Sequence, residues 1–353
     1  HPRIIVFEAG KVINLDGRTL EIKNPYLTIA GQTAPSPGIT LVNGSIIIKT
    51  HDVIIQHIRV RPGAADHSKG WEPDGISTAQ ASNVIIDHCS ISWAVDENCS
   101  ASGPRFEGTN PDEWRSNTSH TVTMSNNIIS EGLSNATHQE EHSMGSLIHD
   151  NATEIAVVNN LYVSNLNRNP YFKGGARGAV INNFIYNPGE SAIRYNLQSD
   201  EWAGRDYETG KMSVIGNFLQ YGPSTHSPEL LQVDNGPCQI YMEDNIARDE
   251  NGDHVELYDG SESKLVTEKP NWHKSFSPTQ ASELKDNIVQ NVGGRPWDRS
   301  EVDCRIINEM LDGEGQIIDF ETEVGGFPDY TSTSTTFDKD KWNGKYRISK
   351  AEG

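Results

Sequence analysis

Ile155-Ala156-Val157-Val158-Asn159-Asn160-Leu161 is followed, 23 residues on, by Ala179-Val180-Ile181-Asn182-Asn183-Phe184. Each stretch runs through apolar, largely β-branched residues, meets two asparagines and resumes with one large apolar side chain. β-Branched runs favour strands, and asparagine tolerates the left-handed backbone that a tight bend requires. The pattern extends in both directions. Upstream lie Asp52-Val53-Ile54-Ile55-Gln56-His57-Ile58, Asn83-Val84-Ile85-Ile86-Asp87-His88-Cys89 and Thr121-Val122-Thr123-Met124-Ser125-Asn126-Asn127-Ile128. Downstream lie Ser213-Val214-Ile215-Gly216-Asn217-Phe218 and Gln239-Ile240-Tyr241-Met242-Glu243-Asp244-Asn245-Ile246.

Taking His57, His88, Asn127, Asn160, Asn183, Asn217 and Asn245 as equivalent gives intervals of 31, 39, 33, 23, 34 and 28 residues. One solenoid coil plus a surface loop accounts for such intervals. The expectation is an all-β fold: a right-handed, single-stranded parallel β-helix with loops on one face and a ladder of stacked asparagine amides. A β-sandwich would show shorter, regular turn spacing and clean alternation. A doubly wound α/β fold would need amphipathic helices where this chain has Gly, Ser, Asn and Pro. Helix is expected only over Glu301 to Leu311, where Val302, Ile306, Ile307 and Met310 share a face, and in a short piece from Thr279 to Leu284. Residues 1–353 read as one domain, with 330–353 as a peripheral tail.

The 31 Gly and 17 Pro suit a turn-rich β protein. A net charge of −20 argues against nucleic acid or an anionic membrane surface as partner, because binding phosphate needs a positive face. Apolar runs such as Ile4-Ile5-Val6-Phe7 are far too short to span a bilayer. The first residues read directly as a strand, so any export leader is expected to have been removed or never present. The four cysteines form no Cys-x-x-Cys pair; a Cys238–Cys304 disulfide and free buried thiols are both open. The sequons at Asn43, Asn98, Asn117, Asn135 and Asn151 do not decide the compartment.

Two intervals concentrate chemistry. Asp74 and Asp96 lie 22 residues apart, close to one coil, so their carboxylates can stack with Glu97 beside them. Stacked like charges call for a cation, and hard oxygen ligands select calcium; the alternative is a turn aspartate and a solvated acidic pair. The second interval, Leu166 to Arg177, brings Arg168, Lys173 and Arg177 together in an otherwise acidic chain. It is either a salt-bridged stripe or the local basic patch an anionic sugar needs.

Asn83-Val84-Ile85-Ile86-Asp87-His88-Cys89-Ser90 resembles the Val-Trp-Ile-Asp-His motif of the pectate lyases of polysaccharide lyase family 1. Arg168-Asn169-Pro170-Tyr171-Phe172-Lys173 is similar to their Arg-x-Pro-x-x-Arg motif. Gly31-Gln32-Thr33-Ala34-Pro35, Ile58-Arg59-Val60-Arg61-Pro62-Gly63, Arg295-Pro296-Trp297-Asp298-Arg299 and Val324-Gly325-Gly326-Phe327-Pro328 add to the resemblance, which reaches to about residue 330. It implies a secreted, monomeric lyase that cuts an acidic polysaccharide, pectate above all, by calcium-assisted β-elimination. Arg168 would take the C5 proton, Asp74 and Asp96 would bind Ca2+, and Asp87 and His88 would shape the coil beside the site. Lys173 stands where the motif has its second arginine, and His142 falls near the position of a substrate-contacting lysine. Ser92 replaces an acidic residue common in the family, which leaves Glu97 to complete the metal site. Arg177, Trp93 and Asn169 are expected to line the substrate groove. Members usually begin with a further coil upstream of Arg3, so the chain is expected to be shortened or mature. The alternatives are a β-helix hydrolase of the polygalacturonase class, whose Asn-Thr-Asp, Asp-Asp, Gly-His-Gly and Arg-Ile-Lys motifs are absent here, and a non-catalytic β-helix that only binds acidic polysaccharide.

Overall fold

The turn that ends each β-branched run sets the architecture. His57, His88, Asn126, Asn159, Asn182 and Asp244 all adopt positive φ, between 48° and 57°, and Gly216 takes the same place at 68°. This column of left-handed residues bends the chain at the same point of every coil. In the computed structural model, which describes residues 1–336, the coils stack into a parallel β-helix.

Three ladders of strands run its length. The first has nine strands, from Arg3–Val6 through His51–Gln56, Ser82–Asp87, His120–Ser125, Thr153–Val158 and Arg177–Ile181 to Cys238–Glu243. The second ladder includes Ile58–Arg61, Ser90–Ser92, Ile128–Ser130, Leu161–Val163 and Phe184–Tyr186. The third runs from Ile76–Ala79 through Glu97–Ser102, Met144–Ile148, Tyr171–Lys173 and Ile193–Asn196 to Leu231–Val233. The early strands Ala9–Ile22 and Ile39–Ile48 pass without interruption from the second ladder to the third, bent by an irregularity between Asn14 and Arg18. Val84, Val122, Ile155, Val180, Val214 and Ile240 point inward from the first ladder and form a continuous dry core.

One residue beyond the left-handed column, the asparagines turn inward. Asn127 Nδ2 donates to Asn160 Oδ1 at 2.9 Å, Asn160 to Asn183 at 2.9 Å, Asn183 to Asn217 at 3.0 Å, and Asn217 to Asn245 at 3.1 Å. Each of these Oδ1 atoms also accepts the backbone N–H of the preceding asparagine, as in Asn127 N to Asn160 Oδ1 at 3.0 Å. Every amide is therefore paired inside the core, where an unpaired one would be costly.

This register corrects the sequence alignment. Strand pairing sets Asp87 against Ser125, so His88 aligns with Asn126 and the inward place opposite Asn127 belongs to Cys89. The two histidines occupy the outward column and stack on each other, with ring centroids 4.8 Å apart. Beside them Asp87 accepts from Gln56, His88, Ser125 and Asn126. Burial pushes its pKa up, but these bonds outweigh burial and hold it well below the usual carboxylate range.

The C-terminal segment covers the outside of the second ladder. Helices α2 (Leu284–Asn291) and α3 (Glu301–Asp312) press Leu284, Ile288, Val302, Ile306, Ile307 and Met310 against Ile128, Leu161, Val163, Phe184 and Tyr186. Ser300 caps α3 by accepting from Asp303 N at 3.2 Å, and Gly313, at φ 77°, ends it. The expected short piece from Thr279 to Leu284 contains a 3-10 turn at Ala281–Glu283, which leads into the longer α2. A helix that was not expected, α1 (Pro111–Asn117), carries the Asn110 cap, N-terminal proline and acidic first turn that begin helices. The four cysteines are free, with Cys238 buried and Cys304 exposed, so no Cys238–Cys304 bridge forms. Of the expected peripheral tail, Thr333–Ser334 pairs antiparallel with Ala9–Gly10 at the edge of the stack, and residues 337–353 lie outside the described residues.

Two substitutions test these anchors. Asn160→Ala strands the Asn127 N–H, the Asn127 amide and the Met124 carbonyl, and should cost about 3 kcal/mol or more, read as a lower urea midpoint. Asp303 accepts from Arg59 Nε at 3.1 Å and Arg61 Nη2 at 2.9 Å with all three side chains buried. Burial raises its pKa but the two guanidinium groups win and lower it below the ordinary 3.8. Its stabilisation is therefore full above that value and lost as pH falls through the depressed one. Asp303→Asn should destabilise the protein at neutral pH by roughly 3–5 kcal/mol and remove that part of the acid limb of a stability–pH curve.

Candidate active site

The long excursions flank the third ladder. Residues 62–75, 131–143 and 164–170 leave from the corner between the second and third ladders, while 103–119 and 197–209 leave from its far side. The corner where chains enter the third ladder collects the candidate residues. Asp74 stands two residues before Ile76, Glu97 opens the next strand, His142 stands two before Met144, and Arg168 three before Tyr171. The register pairs Cys99 with Ile76, Glu97 with Met144, and Met144 with Asn167. Four successive coils thus deliver these side chains to one place.

Carboxylate oxygens of Asp74, Asp96 and Glu97 all lie within 4.8 Å of one another. Ser100 Oγ donates to Asp74 Oδ2 at 2.6 Å. Burial and then the charge of Asp96 push the Asp74 pKa up to about 7. His142 Nε2 lies 2.9 Å from Asp96 Oδ1, and its ring stacks on His138 with centroids 3.6 Å apart, which fixes the Asp96 side chain. Arg168, itself at φ 63°, pairs with Glu97 and reaches over the Tyr171 ring at 5.7 Å. Burial lowers the Arg168 pKa, while the charges of Asp96, Tyr171 and Asp74 oppose that shift.

The structure brings Asp74, Asp96, Glu97, His142 and Arg168 together and separates the rest. Trp93, expected in the groove, is fully buried: its Nε1 donates to Glu131 at 2.8 Å and its ring lies beside Arg61 and Phe327 beneath the C-terminal segment. Asn169 is also inside, accepting from Asn165 at 3.1 Å and donating to the Ser191 carbonyl at 2.9 Å, so its amide shapes the turn. Neither can touch a substrate. Lys173 lies further along the third ladder, paired with Glu201 and 3.7 Å from Asp150, and Arg177 stands 3.9 Å from Glu208. Arg194, which sequence reasoning missed, faces the same Tyr171 ring from the next coil, again at 5.7 Å. The 23-residue step from Tyr171 to Arg194 repeats the interval between Asn160 and Asn183 and could have revealed it.

The chain is 32% identical to a probable pectate lyase C of Emericella nidulans over 352 residues, 96% of this chain and 73% of that one. It is 31% identical to a probable pectate lyase C of Aspergillus flavus, over 96% of this chain and 74% of the relative. No family model matches the sequence. Among solved structures, jun a 1, the major allergen from cedar pollen, superposes with a TM-score of 0.54 at 15% identity, covering 80% of this chain and 78% of its own. A pectate lyase bound to hexasaccharide gives 0.50 at 16% identity, covering 79% and 69%; both speak to the fold alone. Parallel coils with a carboxylate-rich corner define the class as a parallel β-helix, and the sequence relatives make the assignment specific. The chain belongs to the pectate lyase family, which makes it an enzyme of the polysaccharide lyase class.

The raised pKa of Asp74 gives a test of the carboxylate cluster. Its folded value lies above the ordinary 3.8, so the folded state holds an extra proton between those pH values and stability falls as pH rises through that window. In chelator, Asp74→Asn should therefore raise the melting temperature at pH 8 and leave it nearly unchanged at pH 3. An unchanged melting temperature at pH 8 would show that the three carboxylates do not repel one another.

Proposed function

We propose that the protein cleaves a uronate-containing polysaccharide, polygalacturonate in the first instance, by β-elimination with Arg168 taking the C5 proton. The convergence of Asp74, Asp96, Glu97 and Arg168 at one corner of the coil stack carries this reading, and the names of its relatives agree with it. Asp74, Asp96 and Glu97 fit calcium, being hard carboxylate oxygens with more negative charge than one guanidinium can balance. When bound, calcium supplies fixed positive charge that holds a sugar carboxylate and offsets the charge that develops beside it.

The protein's own residues do the rest. Arg168 must offer a neutral guanidine, and such a group is ordinarily protonated. Its burial moves it in the required direction, while Asp96 and Asp74 pull it back, so occupation of the carboxylates by a cation favours the base. As Arg168 takes the C5 proton, the C5–H electron pair becomes the C4–C5 double bond. The C4–O bond breaks, and its pair leaves on the glycosidic oxygen, which is protonated from solvent. No water is consumed and the product is an unsaturated uronide. His142 acts through Asp96 by holding that carboxylate in the cluster. An anionic polymer meets long-range repulsion from a chain of charge −20, so the local cations and the metal decide binding. The same reading makes the working protein extracellular and monomeric; no helix among the described residues is long and apolar enough to cross a membrane.

A hydrolase on this scaffold would use two carboxyl groups set around a water or sugar carbon, whereas here three carboxylates crowd together, one oxygen of each within 4.8 Å of the others, beside a guanidinium. Ultraviolet absorbance of the unsaturated product decides between the two chemistries. Arg168→Ala should reduce that absorbance rate by roughly 10²–10⁴-fold while the chain stays folded, its melting temperature lowered by loss of the Arg168–Glu97 pair. EDTA should stop wild-type turnover, and added calcium should restore it. Full activity of Arg168→Ala, or indifference to chelator, would remove Arg168 or the metal from the scheme.

A further inference from the structure

Where strands leave the third ladder, a cavity of about 450 Å³ opens between residues 196–200, Tyr207 and Asn235. The register pairs Tyr171 with Arg194 and Lys173 with Asn196, so Asn196 stands one coil and two residues on from Tyr171, about 8 Å away across the ladder. Its side chain reaches back to the hydroxyl of Tyr171, the ring that Arg168 covers. A polymer seated at Arg168 therefore meets the cavity as it crosses to the far side of the ladder.

The walls combine amides, an aromatic ring and one carboxylate. Asn196, Gln198 and Asn235 supply the amides, and Asn196 Oδ1 fixes two of them by accepting from Asn235 N at 3.3 Å and Nδ2 at 3.2 Å. Buried Leu197 adds apolar surface. Tyr207 stands at 87° to the Trp202 ring, centroids 5.8 Å apart, and keeps 47% of its surface exposed. Trp202 is fully buried with its Nε1 donating to Asp150 at 2.9 Å, and Arg105 donates to the adjoining Glu201 at 2.8 Å, so the excursion that carries Tyr207 is held in place. Asp200 stands at the rim, and among the described residues no Lys, Arg or His lines the cavity.

Such a lining disfavours a uronate and suits an uncharged sugar. A carboxylate entering it meets Asp200 without a cation to offset the repulsion, because Lys173 and Arg194 nearby are spent on Glu201 and Asp234. A neutral sugar lays its C–H face on an aromatic ring and sets its hydroxyls against amides, which donate and accept alike. We infer that this cavity holds a neutral glycosyl unit of the polymer, so that the enzyme prefers a uronan branched or interrupted by neutral sugars to an unbroken run of uronates. The inference rests on the lyase reading above and adds a second kind of sugar to the substrate.

Elimination would be followed by ultraviolet absorbance on three polymers: linear polygalacturonan, a galacturonan carrying single xylose branches, and a galacturonan with rhamnose in its main chain. One of the two polymers with neutral sugars should exceed the linear one in kcat/KM by roughly threefold to tenfold, the size of one aromatic contact, and which of them does so tells a branch from a main-chain unit. Tyr207→Ala should erase that advantage and leave the rate on linear polygalacturonan unchanged. Asp200→Lys should lower KM for the linear polymer by about twofold to fivefold, the size of one exposed ion pair. Melting temperatures identify a variant that fails to fold, in which case the other carries the test. A linear polymer that matches or exceeds both of the others, or an advantage that survives in folded Tyr207→Ala, overturns the inference and leaves the lyase reading intact. Absence of elimination on all three polymers overturns the lyase reading, and the inference with it.

Discussion

The column of buried asparagine amides governs the molecule. Each amide from Asn127 to Asn217 spends its donor on the next coil and its acceptor on the previous one, so no coil can slip by a residue without leaving several polar groups unpaired in a dry core. Because the register is locked there, it is also locked where chains enter the third ladder. Asp74, Glu97 and Arg168 come from segments of very different length, yet they meet because the same register aligns the strands that follow them.

The outer half of the same turn shows how one backbone shape serves different chemistry. The left-handed residue is His at two coils, Asn at three, Gly at one and Asp at one. Only the bend is shared, so side chains there are free to vary. At His57 and His88 the freedom yields stacked rings beside Asp87, whose four hydrogen bonds keep it ionised against burial. That arrangement braces the early coils, before the amide column begins at Asn127.

The repeat was legible because β-branched runs and paired asparagines leave a signature in a single sequence. Helix α3 was legible because Val302, Ile306, Ile307 and Met310 keep helical spacing. The acidic cluster could be read from the 22-residue step between Asp74 and Asp96, which nearly matches one coil. What failed was orientation. Trp93 and Asn169 sit beside site residues in sequence, but a side chain's direction at a coil corner depends on the local left-handed residue and on what covers it from outside. For Trp93 that cover is Phe327, more than two hundred residues away, and no local pattern announces it. The partners of Lys173 were hidden for the same reason: Glu201 belongs to the next coil's excursion, whose length is set by no repeat.

Two clusters of buried charge in this protein have opposite balances, and the contrast explains their different roles. Asp303 faces Arg59 and Arg61, with Ser90 and Ser300 supplying further hydrogen bonds. There positive charge exceeds negative, every Asp303 oxygen is paired, and the assembly ties α3 to the second ladder. At the entry corner three carboxylates face one guanidinium, and burial together with Asp96 raises Asp74 toward neutrality. A structural ion cluster would offset that excess with a second arginine, as Arg61 joins Arg59 against Asp303. Its persistence at a corner reached by four coils is consistent with a site that receives its remaining positive charge from outside the chain, and it sets that corner apart from the paired cations further along the same ladder.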